Sequence, residues 1–351
     1  MAISPRGRRP GPRCRGRILF GERARPSVRN ATVRAVDSTD VTGFLNRIGV
    51  AEVEPPSLAA LSRLHSGFAE RVPYGTLDIQ LGRPTSLDPI ESAHRIVRHR
   101  RGGYCFHLNG VFAALLRALG YQVTMHHAGV QTASTDPEIN KNHLALSVCG
   151  LPDAPQSTWL VDLGLGDGIY EPIPLQGGTY HQEPFTYRIR PSDVATNGWR
   201  LEHDPAGSFI GMDFDVTPAR LADFAGMHDH LSTSPESSFV KTCVIIRRGG
   251  ARIDTLRAKT LSQRTRHTSS MTILNSQSDW FAALNDIFGI PMTDLSRVER
   301  EQLWRRVSMQ HETHHVEKSF TSEENVRSRR TTPHRTTPYC SDASANSSDP
   351  C

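Results

Sequence analysis

Apolar residues along the chain repeat with two different periods, and the switch between them divides it. From residue 40 to 123 the spacing is helical. Phe44, Leu45 and Ile48 share one helix face. Ser57 stands as an N-cap before Leu58, Leu61, Leu64, His65 and Phe68, and Pro73 ends that helix. Asp88-Pro89 opens another helix through Val97, with proline at a position where no backbone N–H is needed. The most regular stripe is Leu108, Val111, Phe112, Leu115, Leu116 and Leu119, closed by Gly120 as a C-cap. Between residues 122 and 260 short alternating runs take over, at 143–149, 159–163, 185–189 and 240–247, separated by Gly, Pro, Asn and Asp. They predict antiparallel strands spaced as in a barrel or sandwich. Helical spacing returns over 278–310. There Asp279 is expected to cap Trp280, Phe281, Leu284, Ile287 and Phe288 ahead of Gly289, and Ser296 begins a second helix through Val307.

The two ends lack any such pattern. Residues 1–38 are rich in Arg, Pro and Gly, and residues 313–351 in Ser, Thr, Arg and Pro, so both are expected to be disordered. Charge follows the same division. Residues 1–36 hold ten Arg and one Glu, and residues 313–351 hold five basic and five acidic residues. With +5 overall, +9 in the leader and 0 in the tail, residues 37–312 carry −4. The basicity therefore belongs to an arm and not to a folded surface, and no nucleic-acid partner is expected. No apolar run approaches the roughly 20 residues that span a bilayer. The basic N-terminus also lacks the apolar stretch of a secretory signal. A cytoplasmic protein with no membrane partner is expected.

Six cysteines stand at 14, 105, 149, 243, 340 and 351 with no CxxC pair, so no metal site is expected. Cys105 is the one with a reason to react. It follows Gly102-Gly103-Tyr104 and lies three residues before Leu108, in the first turn of the regular helix and on its buried stripe. First-turn N–H groups have no intrahelical acceptor and carry partial positive charge, which stabilises a thiolate and can bind a developing oxyanion. The two glycines let a substrate approach the backbone. The bland alternative, a small buried apolar cysteine, fits the segment equally well.

A thiolate chemistry needs a base. In Asn142-His143-Leu144-Ala145-Leu146-Ser147-Val148 the leucines and valine share one face, and His143 stands on the other at the strand start, next to a loop. In Trp159-Leu160-Val161-Asp162-Leu163 an acid interrupts an apolar strand. Burying that acid unpaired is costly, and an imidazole N–H is a natural partner.

Five segments in order then resemble the arylamine N-acetyltransferase family. Residues 101–109, RGGYCFHLN, resemble its cysteine motif. Asn142-His143-Leu144 and Val161-Asp162-Leu163-Gly164 resemble its histidine and aspartate strands. Val72-Pro73-Tyr74-Gly75-Thr76-Leu77 is similar to its PFENL segment, and the run from His230 through Ser237 to its YxSTSPxS segment. The resemblance spans about residues 40–310. It implies an α+β fold with a cysteine-proteinase-like Cys-His-Asp core. A helical first domain (39–123) would carry Cys105, a β-barrel second domain (124–220) His143 and Asp162, and an α/β third domain (221–312) would follow.

The implied chemistry is ping-pong acetyl transfer from acetyl-CoA to an aromatic amine or hydrazine through a thioester on Cys105. His143 would move the protons and Asp162 would fix its tautomer, with no metal. Tyr74, Tyr104 and Leu165 are the implied acceptor contacts, and His230, Thr233 and Ser234 the implied CoA contacts. The chain departs from the family pattern at His107, where Glu or Gln is common, and at Gly75-Thr76, where the family has Glu-Asn. It departs again at Leu165, where Phe is frequent, and at His230, which replaces Tyr. An amide synthase using a carrier-bound acyl group, a thiol hydrolase and a non-enzymatic binding protein stay open as other readings.

Overall fold

The computed structural model describes residues 38–330. The first third is helical: α1 (Ser38–Ile48), α2 (Leu58–Arg71), α3 (Leu77–Gln80), α4 (Pro89–His99) and α5 (Cys105–Ala118). A two-residue strand, β1 (Tyr74–Gly75), sits between α2 and α3. The caps read from the sequence for α2, α4 and α5 are formed. Ser57 Oγ accepts from the Ala60 N–H, and Asp88 Oδ1 accepts from the Ile90 N–H at 2.9 Å with Pro89 at the helix start. Gly120, at φ +89, ends α5 in the left-handed region that glycine enters without a Cβ penalty. The apolar faces of α2, α4 and α5 meet around Leu61, Phe68, Ile96, Phe112 and Leu116, all fully buried.

Eight strands follow: β2 (Gln122–Gln131), β3 (His143–Leu151), β4 (Ala154–Val161), β5 (Ile173–Pro174), β6 (Gly178–Gln182), β7 (Phe185–Pro191), β8 (Trp199–Glu202) and β9 (Gly211–Pro218). They form one antiparallel sheet in the order β5-β4-β3-β2-β9-β8-β7-β6 that curls into a nearly closed barrel. Ala145, Leu160, Tyr187, Ile189, Leu201 and Phe214 fill its interior. Strand β3 is buried on both faces, because Leu144, Leu146 and Val148 pack outward onto the helical cluster. That double burial sets the first residue of β3, His143, at the joint between barrel and helices.

The last third holds α6 (Ala225–Thr233), α7 (Ser238–Lys241), β10 (Val244–Arg248), β11 (Ile253–Arg257), β12 (Thr260–Arg264), β13 (Ser269–Ile273), α8 (Gln277–Asp286) and α9 (Arg297–Arg330). Its antiparallel sheet runs β1-β10-β11-β12-β13, so the short strand of the helical part is its edge. Trp280, Leu284 and Val307 of the two helices pack on Ile245 and Leu256 of the sheet.

Three expectations need correction. The strand expected over 240–247 begins only at Val244, because Ser237 Oγ accepts from the Phe239 N–H and caps α7 instead. The cap of α8 is Ser276, whose Oγ accepts from the Asp279 N–H at 3.1 Å, and Asp279 stands in the first turn. The tail expected to lose structure at 313 continues as α9 to Arg330. Residues 311–330 lack an apolar stripe but contain neither Gly nor Pro, so nothing stops the helix. Ser38 already begins α1, and the rest of the expected leader, residues 1–37, lies outside the described residues, as does 331–351. No helix among the described residues is long and apolar enough to cross a membrane.

Candidate active site

Cys105 is the first residue of α5, and the loop before it is pinned from three sides. Arg95 Nη2 donates to the Gly102 carbonyl at 3.1 Å. Arg101 Nε donates to Asp78 at 3.0 Å, and its Nη1 to Asp294 at 2.9 Å. A Cβ on Gly102 would lie 2.2 Å from the Pro73 carbonyl oxygen, and Gly103 adopts φ +100, so neither position accepts another residue. The Cys105 and Phe106 N–H groups occupy the helix positions without intrahelical acceptors.

The structure brings Cys105, His143 and Asp162 together. His143 Nε2 donates to Asp162 Oδ2 at 2.8 Å, which leaves Nδ1 as the ring nitrogen free to exchange a proton. Cys105 Sγ also faces the Asn142 carbonyl at 3.7 Å. All three residues are almost wholly buried. Burial alone would lower the imidazole pKa, but the Asp162 carboxylate and then the Cys105 sulfur lift it to about 10. An imidazolium beside Sγ stabilises a thiolate. Gly164 completes the contact. A Cβ there would lie 2.7 Å from both Cα and Cβ of Cys105, so only glycine lets the end of the aspartate strand reach the nucleophile.

Two residues that the sequence reading did not assign hold the acid. Asn109, fully buried, donates to Asp162 Oδ1 at 2.9 Å and to the Leu144 carbonyl at 2.6 Å, and accepts from the Leu163 N–H at 2.8 Å. It thereby ties α5 to both the histidine and the aspartate strands. His65 of α2 accepts the Asp162 backbone N–H at its Nε2 (3.1 Å) and donates from Nδ1 to the Tyr170 carbonyl (2.9 Å). That pairing requires the neutral ring, and burial pushes its pKa down to about 4. Both had a signal in the sequence: a polar residue on an otherwise apolar helical stripe, Asn109 one turn beyond Cys105.

Cys105 and His143 open onto a cavity of about 300 Å³. Its walls include Tyr74, Leu165, Phe209 and Phe239. Tyr74 and Leu165 thus stand where the sequence suggested. Tyr104 does not line the cavity. It is 1% exposed, with its hydroxyl 2.6 Å from His228 Nδ1 and its ring against His107. His230, Thr233 and Ser234 also lie outside the cavity wall, which takes Leu231 from the same segment. His230 and Thr233 are exposed, and the Thr233 hydroxyl donates to the Asp229 carbonyl at 2.7 Å.

A family model described as N-acetyltransferase matches residues 57–297, more than two thirds of the chain. The chain belongs to the arylamine N-acetyltransferase family. It is 28% identical over 267 residues to the arylamine N-acetyltransferase of Mycolicibacterium smegmatis, covering 73% of this chain and 94% of that one. The solved structure of Mycobacterium marinum arylamine N-acetyltransferase in complex with CoA matches with a TM-score of 0.68 at 26% identity, over 76% of this chain and 98% of that one. The Nocardia farcinica arylamine N-acetyltransferase structure matches with a TM-score of 0.67 at 28% identity, over 76% and 93%. The chain is thus an acetyltransferase, and the helical, barrel and C-terminal parts form the family's three-part fold.

Proposed function

We propose that the chain transfers acetyl from acetyl-CoA to an aromatic amine or hydrazine in two half-reactions on Cys105. The Cys105 thiolate attacks the acetyl carbonyl, and the C–S bond to CoA breaks. The leaving CoA sulfur takes the proton held by His143. The amine then attacks the enzyme thioester, gives a proton to the now neutral imidazole and expels the Cys105 thiolate. N–H groups at the start of α5 stabilise the oxyanion in both steps. Asp162 acts by holding Nε2–H, so that Nδ1 is the nitrogen that exchanges protons with the substrates. A cytosolic location suits such a thiol chemistry.

The observation that carries this reading is the His143–Asp162 hydrogen bond at 2.8 Å beside a thiol that opens on a substrate-sized cavity. Tyr74 and Leu165 are proposed to contact the acceptor. His230, Thr233 and Ser234 are proposed to contact the CoA end that projects from the cavity. Intact-protein mass spectrometry after mixing with acetyl-CoA alone tests the scheme. An acetyl adduct is expected on the wild type but not on Cys105→Ala, and an aromatic amine should discharge it. A folded protein that never takes the adduct would remove acetyl-CoA as donor and favour a carrier-bound acyl group.

A further inference from the structure

Tyr104, the residue before the nucleophile, stands at the N-cap of α5, where helices usually carry Ser, Thr, Asp or Asn. Those short side chains accept N–H groups of the first turn. Tyr104 gives the first turn no hydrogen bond from its side chain, so the N–H groups beside Cys105 stay available to a substrate oxygen. The start of the helix must then be fixed from elsewhere.

The fixing group lies on α6. The Tyr104 hydroxyl is 2.6 Å from His228 Nδ1, and His228 Nε2 is 2.8 Å from the Thr85 carbonyl, in the loop between α3 and α4. Both side chains are buried. A carbonyl only accepts, so Nε2 carries the proton, Nδ1 is an acceptor, and the Tyr104 hydroxyl donates to it. Burial pushes the pKa of that hydroxyl up, which keeps the donor in place. His107 closes the other side. Its ring meets the Tyr104 ring edge-on at 4.4 Å and the His228 ring at 5.4 Å, and its Nδ1 accepts the Tyr104 backbone N–H at 3.4 Å. Gly103 makes room for that ring, since a Cβ there would lie 2.6 Å from His107 Nδ1. The Tyr104 carbonyl accepts the His107 and Leu108 N–H groups at 2.9 and 3.0 Å. The N–H and C=O of Tyr104 thus serve α5 itself, and the hydroxyl ties α5 to another helix.

We propose that His228 is a positioning residue for acyl transfer: through Tyr104 it holds the first turn of α5 against α6, and so sets where Cys105 stands relative to His143 and to the first-turn N–H groups. The inference rests on the transferase reading for the reaction it serves. Tyr104 also packs at 5.1 Å against Phe239, a wall of the cavity. A role confined to that wall would alter substrate saturation, whereas a role at the nucleophile alters the limiting rate.

Thioester formation on the full-length protein, followed by rapid-mix mass spectrometry at rising acetyl-CoA, separates the two. The proteins compared are wild type, Tyr104→Phe, His228→Phe and the double variant, each of which keeps an aromatic ring at both positions. Each single change should lower the limiting rate roughly tenfold and leave half-saturating acetyl-CoA within about twofold. The double variant should be no slower than the slower single variant, whereas independent effects would multiply to roughly a hundredfold. Alkylation of Cys105 by iodoacetamide, which needs no acyl donor, should slow in the same order. An unchanged limiting rate in folded Tyr104→Phe overturns the proposal. So does an effect confined to half-saturation, or a double variant in which the two losses multiply. Should His228→Phe not fold, the limiting rate of Tyr104→Phe decides alone. If wild type takes no acetyl group, the transferase reading fails and the alkylation series decides on the positioning, with equal rates in all the folded proteins overturning it.

Discussion

Replacing Asn109 by alanine isolates the residue that holds helix, histidine strand and aspartate strand together. Its side chain is fully buried and makes three hydrogen bonds, at 2.6, 2.9 and 2.8 Å. In Asn109→Ala the Asp162 carboxylate keeps His143 and the Gly164 N–H, which donates to Oδ1 at 2.8 Å. The Leu163 N–H keeps nothing that the structure offers, and a buried donor without an acceptor costs about 1–3 kcal/mol. The lost bond to the Leu144 carbonyl and the void left by the amide add to this, for a total of roughly 2–4 kcal/mol. Urea unfolding of both proteins at neutral pH reads the difference. Because Asp162 loses the contact that fixes it to α5, thioester formation should also slow, by about 10-fold or more if the carboxylate drifts. Asn109→Asp is the sharper variant. It keeps an acceptor for the Leu163 N–H but sets a second carboxylate against Asp162, so it should damage the His143 geometry more than the fold. An Asn109→Ala protein within about 0.5 kcal/mol of wild type and fully active would refute the reasoning.

Other outcomes follow from the same geometry. Asp162→Asn should slow thioester formation by on the order of 10³–10⁴-fold at neutral pH, since the tautomer is no longer fixed. The same pair bears on stability. The His143 pKa is raised from 6.5 to about 10, so its contribution is fully present below about pH 6.5 and lost as pH rises through about 10. The stability gap between wild type and Asp162→Asn should therefore shrink as the pH is raised from 7 to 10, as followed by denaturant midpoints. Gly164→Ala should fold but lose about 10²-fold in thioester formation, because the new methyl group meets Cys105 backbone and not a flexible chain end. In alkylation followed by peptide mapping, Cys243 should stay unlabelled until the protein is denatured. It is 0% exposed, and burial pushes its thiol up to about 12.

The triad was legible because each member breaks a local pattern: a cysteine after paired glycines at a helix start, a histidine opening an apolar strand, an acid in the apolar run that closes another. Their meeting was not legible from periodicity, since it depends on β3 and β4 pairing beside α5. Asn109 and His65 were visible only as polar positions on apolar stripes, and such positions are more often solved by local backbone contacts than by a site. The start of β10 was misplaced because Val240 continues an apolar run, while a serine hydroxyl three residues earlier decides for a helical turn.

The edge strand β1 has a consequence for the order in which the enzyme is made. Tyr74 and Gly75 take their places against Ile246 and Ile245, about 170 residues later in the chain. Until the ribosome has delivered that stretch, Tyr74 lacks its β10 partner and the cavity lacks the wall that Val244 and Ile246 supply. Closing so long a loop is slow compared with forming local helices. Acyl chemistry therefore has to wait for the C-terminal sheet to complete the substrate site.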